Sequence, residues 1–513
     1  MKPGNKLAPC IMVQGTGSHT GKSIITAALC RILTQDGWRV APFKSQNMSL
    51  NSYVTPEGGE MGRAQVLQAQ AAGIEAHTDM NPILLKPASD EKAQVVLNGR
   101  PVGHMGACEY HDLKLEYLPH ALAALNRLRS NYQIVVMEGA GSPAEINLKD
   151  QDIVNMRMAE AAAAPVILVG DIDRGGVFAS LVGTLDLLDA DERELIAGFI
   201  INKFRGSLNL LQGGLDFLEE RTGKPVLGVV PYIRDIGLEE EDSVNLDELR
   251  ESSGRREDAA EIDIAVIYSP HISNATDFDP LGLEPGVRLR YISEPAALRV
   301  PDAIMIPGSK STCDDLDYLR RNGMARAIMR LAYAGVPVIA ICGGYQMLGT
   351  SIEDPEGWEQ HKGSMDGLGL LPIRTVMSGD KSTHRVKATT ACPIPLFGLE
   401  GGCEIEGYEI HMGNSECESA HPLMIHTRDG VAVAVPDGAC NPVLPVFGCY
   451  LHGLFENHSL REGFINFLRE RRGLQPLAAT ERDWLTWREE RLDRLAAITR
   501  SSLKMDLIYS LLP

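Results

Sequence analysis

The chain has 513 residues, 44% of them hydrophobic and 23% charged, and its 49 basic and 68 acidic side chains give a net charge of −19. At roughly 150 residues per domain this length holds two to four domains, and the composition excludes collagen-like, low-complexity and largely disordered classes. The acidic balance argues against a general nucleic-acid binder, so an anionic substrate would have to meet local positive charge. The longest apolar runs, 161–170 and 336–341, reach at most about half of the roughly 20 residues that a membrane span needs, so none is expected. Residues 1–10 carry too short an apolar stretch before Gly15 to read as a secretory leader. Ten scattered cysteines without a Cys-x-x-Cys pair suggest neither a disulfide framework nor a zinc site, and a cytoplasmic protein is expected.

From residue 11 to about 232, short β-branched runs alternate with longer helical stretches. Strands are predicted at 11–14, 39–43, 134–138, 166–170, 197–202 and 226–230, the mark of a parallel sheet flanked by helices. Residues 238–261 are crowded with charge and hold no apolar run, which puts a domain boundary there. A second α/β series follows, with strands at 262–268, 303–306, 336–341 and 445–450 and helical stretches at 313–334 and 345–351. Residues 475–512 have helical spacing and mixed charge, and the reading packs them on the second domain. No repeat of fixed period is present.

The first strand runs into Gly15-Thr16-Gly17-Ser18-His19-Thr20-Gly21-Lys22-Ser23 and then an apolar helical stretch. Strand, glycine loop, Gly-Lys-Ser and helix is the order a phosphate cradle requires. Backbone N–H groups of the loop, including Gly15, Gly17, Thr20 and Gly21, turn toward phosphates, Lys22 supplies a charge, and the Ser23 hydroxyl can ligate Mg²⁺. The spacing is a variant, because the usual four-residue gap before Gly-Lys would put glycine at position 16, where Thr16 stands. Acidic partners for Mg²⁺ are expected at strand ends, with Glu138 and Asp171 as candidates; either could also be a helix cap.

In the second series the run 336–341 ends in Cys342-Gly343-Gly344, and a helix starts at once. A residue on so tight a strand-to-helix turn is held exposed at a helix N-terminus, which suits a thiol nucleophile. Phe447-Gly448-Cys449-Tyr450-Leu451-His452-Gly453 places a histidine just past another strand, where it can act as a general base. Ile306-Pro307-Gly308-Ser309 ends a third, and the N–H groups of Gly308 and Gly343 could form an oxyanion hole. Cysteines are often buried as small hydrophobes and single histidines are mostly structural, but the three turns together make a thiol amidohydrolase constellation. Cys449 reads as a packed strand residue.

Motifs in both halves carry a resemblance: Phe43-Lys44-Ser45-Gln46-Asn47-Met48-Ser49-Leu50-Asn51-Ser52, Glu60-Met61-Gly62-Arg63-Ala64-Gln65, Asn81-Pro82-Ile83-Leu84-Leu85-Lys86-Pro87, Glu138-Gly139-Ala140-Gly141-Ser142-Pro143-Ala144-Glu145, Asn202-Lys203-Phe204-Arg205-Gly206, Pro307-Gly308-Ser309-Lys310, Cys342-Gly343-Gly344-Tyr345-Gln346 and Gly407-Tyr408-Glu409-Ile410-His411-Met412-Gly413. Over nearly its whole length the chain resembles the cobyric acid synthase family, glutamine-dependent amidotransferases of adenosylcobalamin biosynthesis. The front half also resembles dethiobiotin synthetase and the rear half the class I glutamine amidotransferases. The resemblance implies an α/β fold with a P-loop, ATP-dependent synthetase domain at 1–240, a charged linker at 241–261, a glutamine amidotransferase domain at 262–470 and a helical extension at 471–513.

It further implies ATP and Mg²⁺ as cofactors, and glutamine and a corrinoid acid, adenosylcobyrinic acid a,c-diamide, as substrates. Its b, d, e and g carboxylates would be amidated through acyl phosphates. Cys342 and His452 would release ammonia from glutamine, and Lys44, Arg63, Lys86, Lys203 and Arg205 are the cations available to corrin carboxylates or nucleotide. Three departures stand out. Ala340 replaces the glycine usual two residues before the nucleophile, Ser207 stands where Asp is typical, and His452-Gly453-Leu454 replaces His-Pro-Glu, leaving Glu456 as the nearest acid to orient the histidine. The alternatives are a cobyrinic acid a,c-diamide synthase or another carboxylate amidotransferase of the same architecture, and a nucleotide-switched partner binder; the complete thiol site speaks against the last.

Overall fold

The apolar runs of the front half, too short for helices and rich in β-branched residues, pair as a parallel sheet. The computed structural model describes residues 7–87, 92–233, 236–238, 261–359, 362–477 and 483–512. Nearly all of the expected linker, 241–261, therefore lies outside the described residues. Strand β1 (Cys10–Gly15) leads into helix α1 (Lys22–Gln35), followed by β2 (Val40–Phe43), β3 (Ile134–Glu138), β4 (Val166–Asp171), β5 (Ile196–Phe204) and β6 (Val226–Pro231). Their order in the sheet is β6-β5-β4-β1-β3-β2, with every pairing parallel. All residues of β1, β2 and β3 are buried, as a sheet covered on both faces demands. β1 is central, so the loop that follows it lies beside the carboxyl ends of β3 and β4, where open α/β sheets gather ligands. A second, four-stranded sheet joins Gln46–Met48, Ile83–Pro87, Lys92–Leu97 and Arg100–Gly106.

Two compact units result: 1–49, 60–242 and 485–513 form one, 50–59 and 243–484 the other. This corrects the reading of the carboxyl-terminal helix. Trp484–Ser502 places Leu492 and Leu495 in one core cluster with Val13, Ile25, Leu29 and Val136 of the first unit. Arg31 pairs with Asp493 at 2.8 Å and Arg500 with Asp36 at 2.9 Å on its flanks. Helical periodicity reveals an apolar stripe but not which apolar face it covers, and proximity in sequence was the wrong guide.

The second unit contains β7 (Ile262–Ile267), β8 (Val287–Ile292), β9 (Ala303–Ile306), α2 (Thr312–Arg321), β10 (Val338–Ile341), α3 (Gly343–Met347) and β11 (Val446–Cys449). The sheet order is β8-β7-β9-β10-β11, all parallel, with Ala439–Cys440 as an antiparallel edge. The stretch expected as one helix over 313–334 is two, α2 and Met324–Tyr333, because Asn322-Gly323 makes a turn with Gly323 at φ 86°. Between α3 and β11 lies a largely antiparallel sheet that includes Ile373–Thr390, Glu404–Cys417, Leu423–Arg428 and Val431–Asp437. Among the described residues no helix is long and apolar enough to cross a membrane.

Candidate active sites

In the first unit the residues between β1 and α1 form the expected turn. Gly21 caps α1 at φ 92°, and a Cβ there would lie 2.1 Å from Asn202 Nδ2, which donates to the Thr20 carbonyl at 2.9 Å. A Cβ on Gly15 would lie 2.3 Å from Thr20 Oγ1. The loop therefore needs its upstream glycine at 15, and the turn closes with the displaced spacing. Lys22 Nζ donates to the carbonyls of Gly17 at 2.8 Å and Gly141 at 3.3 Å, linking the loop to the turn after β3.

Glu138, fully buried at the end of β3, gathers the polar groups around it. Ser23 Oγ donates to its Oε1 at 2.8 Å, Lys44 Nζ lies 3.0 Å from the same oxygen, and Gln68 Nε2 donates to Oε2. The Lys44 and Glu138 side chains are 2% and 0% exposed, and taking both ions out of water costs most of what their attraction returns. Such a pair is a weak source of stability, so its chemistry is the better reason for it.

In the second unit Cys342 sits between β10 and α3 with φ 54° and ψ −113°, a strained backbone of the kind that clusters at functional turns. It is 6% exposed, and its Sγ donates to the Ile410 carbonyl at 3.3 Å. His452 follows β11, and its Nδ1 lies 2.7 Å from Asp277 Oδ2, while Asp277 Oδ1 accepts the Gly453 N–H at 3.0 Å. Burial works against the charged imidazole. The Asp277 carboxylate, by charge and hydrogen bond, and the Cys342 thiol outweigh it, and the His452 pKa is pushed up to about 10. The charged form of the ring is thus favoured, with the Cys342 thiol beside it.

The Glu404–Cys417 strand walls the site. Tyr408 stacks on His452 with centroids 5.1 Å apart and planes at 11°. Gln346, one turn beyond the thiol, donates to the Met412 carbonyl at 2.9 Å and the Tyr450 hydroxyl at 3.1 Å. A Cβ on Gly343 would lie 2.7 Å from the Ser309 nitrogen, and one on Gly308 3.4 Å from His452 Cε1, so the three strand-end turns meet. At the start of α2, Glu359 accepts from the Thr312 N–H at 2.6 Å, and burial pushes its pKa up to about 7.

Residues 11–244 match the CobQ/CobB/MinD/ParA nucleotide binding domain, and residues 263–460 the CobB/CobQ-like glutamine amidotransferase domain. A cobyric acid synthase of Desulforamulus reducens is 51% identical over 99% of this chain and 98% of its own. That of Moorella thermoacetica is 52% identical over 96% and 94%, and that of Yersinia enterocolitica 50% over 98% of each chain. The chain belongs to the cobyric acid synthase family. As a member of that family it is a ligase that joins an ATP-binding domain to a glutamine amidotransferase domain.

For this cobyric acid synthase family member, the five cations named from sequence have distinct surroundings. Lys44 lies on Glu138 and Lys86 on buried Glu60 at 2.6 Å, and Arg63 is buried at the start of the helix Arg63–Ala71. Lys203 instead donates to the His19 carbonyl of the phosphate loop at 2.8 Å and pairs with Asp171 at 3.3 Å. Arg205 pairs with Asp173 at 3.1 Å and covers the Tyr232 ring at 3.7 Å. Ser23 and Glu138 are therefore together, whereas Asp171 is engaged by Lys203. Cys449 is fully buried in β11, and burial holds its thiol well above the usual range.

The acid on His452 is Asp277, not Glu456. It stands 175 positions upstream, in the short turn Ala275–Phe278, and only the folding of β7 and its neighbours brings it to the ring. An acid in a polar turn after a short strand was the only available signal, and many turns share it.

Proposed function

We propose that the chain amidates the b, d, e and g carboxylates of adenosylcobyrinic acid a,c-diamide, using ATP and ammonia drawn from glutamine. The observation that carries the reading is the pairing, in one chain of this family, of a phosphate loop closed on Glu138 with a buried Cys342, His452 and Asp277 constellation. A carboxylate resists amines because its oxygen leaves poorly. Its oxygen would attack the γ-phosphorus of ATP, releasing ADP and giving an acyl phosphate, with Lys22 stabilising charge on the transferring oxygens. Ammonia then attacks the acyl carbon and phosphate leaves.

Among the described residues no three His, Cys, Asp or Glu side chains could hold a metal by themselves. The Ser23 hydroxyl and Glu138 carboxylate are hard oxygen donors 2.8 Å apart, a set suited to Mg²⁺ that shares its remaining positions with phosphate and water. Bound there, Mg²⁺ would neutralise charge on the phosphates. Lys44 would repay the charge of Glu138 when Ser23 turns away from it. Lys203, which holds the loop at His19, is assigned to the nucleotide side rather than to a corrin carboxylate.

At the thiol site the Cys342 sulfur, its proton passed to His452, attacks the glutamine carboxamide carbon as a thiolate, and backbone N–H groups at Gly308 and Gly343 receive the developing oxyanion. The His452 imidazolium gives its proton to the departing ammonia, and the neutral ring then takes one from water as the thioester is hydrolysed to glutamate. Asp277 holds the ring by Nδ1 and stabilises its charged form. The test is mass spectrometry of the corrinoid after incubation with ATP, Mg²⁺ and glutamine. Each amidation exchanges OH for NH₂ and lowers the mass by a fixed step; an unchanged corrinoid would overturn the reading.

A further inference from the structure

Residues 50–59 stand between two stretches of the first unit, yet they cluster with the second. Their contacts there converge on the thiol site by two routes. Asn51 Oδ1 accepts the Asn274 N–H at 2.9 Å, and Asn274 Oδ1 accepts the Ser52 N–H at 2.9 Å, a reciprocal pair among three residues that are at most 4% exposed. Asn274 has φ 51° and ψ 39° and caps the turn Ala275–Phe278, and its carbonyl accepts the Asp277 N–H at 3.0 Å. The second route is through rings. Tyr53 packs on Tyr408 at 4.8 Å, and Tyr408 stacks on His452. Val54 shares a small apolar cluster with Tyr408 and Ile410, whose carbonyl receives the thiol.

A left-handed asparagine costs free energy unless its surroundings hold it, and the turn that carries Asp277 begins there. Two hydrogen bonds, to 51 and 52, engage it at both its backbone N–H and its side chain. We infer that Asn51, Ser52 and Tyr53 are positioning residues for glutamine hydrolysis, acting on Asp277 through Asn274 and on His452 through Tyr408. None touches the reacting atoms. Their effect is to keep the carboxylate on Nδ1 and the ring parallel to Tyr408, so that Nε2 is presented to the sulfur. This use absorbs the end of the 43–52 motif, whose start, Lys44, lies on Glu138 in the other unit. The inference rests on the assignment of Cys342 and His452 to glutamine hydrolysis.

The test compares full-length Asn51→Ala, Asn51→Asp and Asn274→Gly with the parent chain, with glutamine and then ammonium as the nitrogen source. Asn51→Ala leaves a buried N–H without its acceptor, and glutamine-dependent kcat is expected to fall about tenfold while KM for glutamine and ammonium-dependent amidation hold. Asn51→Asp keeps the acceptor and should recover most of the rate. Asn274→Gly keeps the left-handed backbone and loses only the bond to Ser52, so a smaller loss is expected. As Asp277 loosens, the alkaline limb of the glutaminase profile should move to lower pH in Asn51→Ala. The charged and titratable groups that set it are Asp277 and Cys342, with the Tyr408 ring stacked alongside.

An unchanged kcat and pH profile in Asn51→Ala would overturn the inference, and so would an equal loss from both nitrogen sources, which marks a purely structural role. Cys342→Ala separates the two claims. If it keeps glutamine-dependent activity, the assignment of the thiol site itself is wrong. If it loses that activity while Asn51→Ala does not, only the positioning role fails.

Discussion

The phosphate loop is made by consecutive residues, 15–23, on one strand-to-helix turn, whereas the thiol site draws Cys342, His452 and Asp277 from three separate turns. The first is shaped by its own backbone, notably the left-handed Gly21 and the close approach at Gly15, with Asn202 and Lys203 holding its carbonyls from outside. The second is held by packing: a parallel sheet sets the strand ends side by side, and the Glu404–Cys417 strand lays Tyr408 and Ile410 over them. A local site fails when its own residues change. A dispersed site also fails when residues that never meet substrate let one member drift.

Cys342→Ala should show the largest effect, because in the proposed reaction the thioester forms on that sulfur. Glutamine-dependent amidation should fall toward background, by roughly 10⁶-fold on the scale of lost covalent nucleophiles. Amidation fed by high ammonium should persist, since the first unit needs only free ammonia. Loss of both by the same factor would merge the two sites into one and end the comparison.

Asp277→Asn comes next, at roughly 10⁴-fold in glutamine-dependent kcat, the scale of removing the acid behind a catalytic histidine. It also carries a signature in pH. The His452 pKa is raised in the fold from 6.5 to about 10. The pair's contribution to stability is therefore complete below about pH 6.5 and is lost as pH rises through about 10. Melting temperatures measured across that window should fall with pH in the parent chain more steeply than in Asp277→Asn. Equal slopes would mean that the carboxylate does not hold the imidazolium. Lys22→Ala should cost less in rate, roughly 10²–10³-fold, but with both nitrogen sources alike. Retention of the glutamine-driven rate would remove Lys22 from phosphoryl transfer.

Much of this is readable in the sequence, and the exceptions differ in cause. All six strands of the first sheet and four of the five parallel strands of the second stand where apolar runs predict them, because a strand buried on both faces announces itself in composition. The Ser23 and Glu138 pair was legible because strand ends beside a phosphate loop are few. β8 was missed, its arginines at 288 and 290 breaking the apolar run. So was the antiparallel sheet from 351 to 437, whose strands alternate weakly and face solvent over much of their length. Asp171, a metal candidate from its place at a strand end, has Lys203 at 3.3 Å in the folded chain, a pairing that nothing in the local sequence announces. Lys203 stands 32 positions from Asp171, and periodicity carries no information about such a neighbour.

The acid behind His452 gives the finest test of that difference, through Glu456→Gln. Sequence proximity favours Glu456, four residues after the histidine, whereas the fold gives the position to Asp277. A ring nitrogen takes one hydrogen-bond partner, and Nδ1 already has a carboxylate oxygen at 2.7 Å, whose companion oxygen holds the Gly453 N–H. With that position occupied, neutralising Glu456 removes charge from the neighbourhood but no bond from the ring. Glutamine-dependent kcat should stay within about twofold of the parent chain, and the alkaline limb of its pH profile should stay in place. A loss approaching that of Asp277→Asn would mean that the ring turns to Glu456 during turnover.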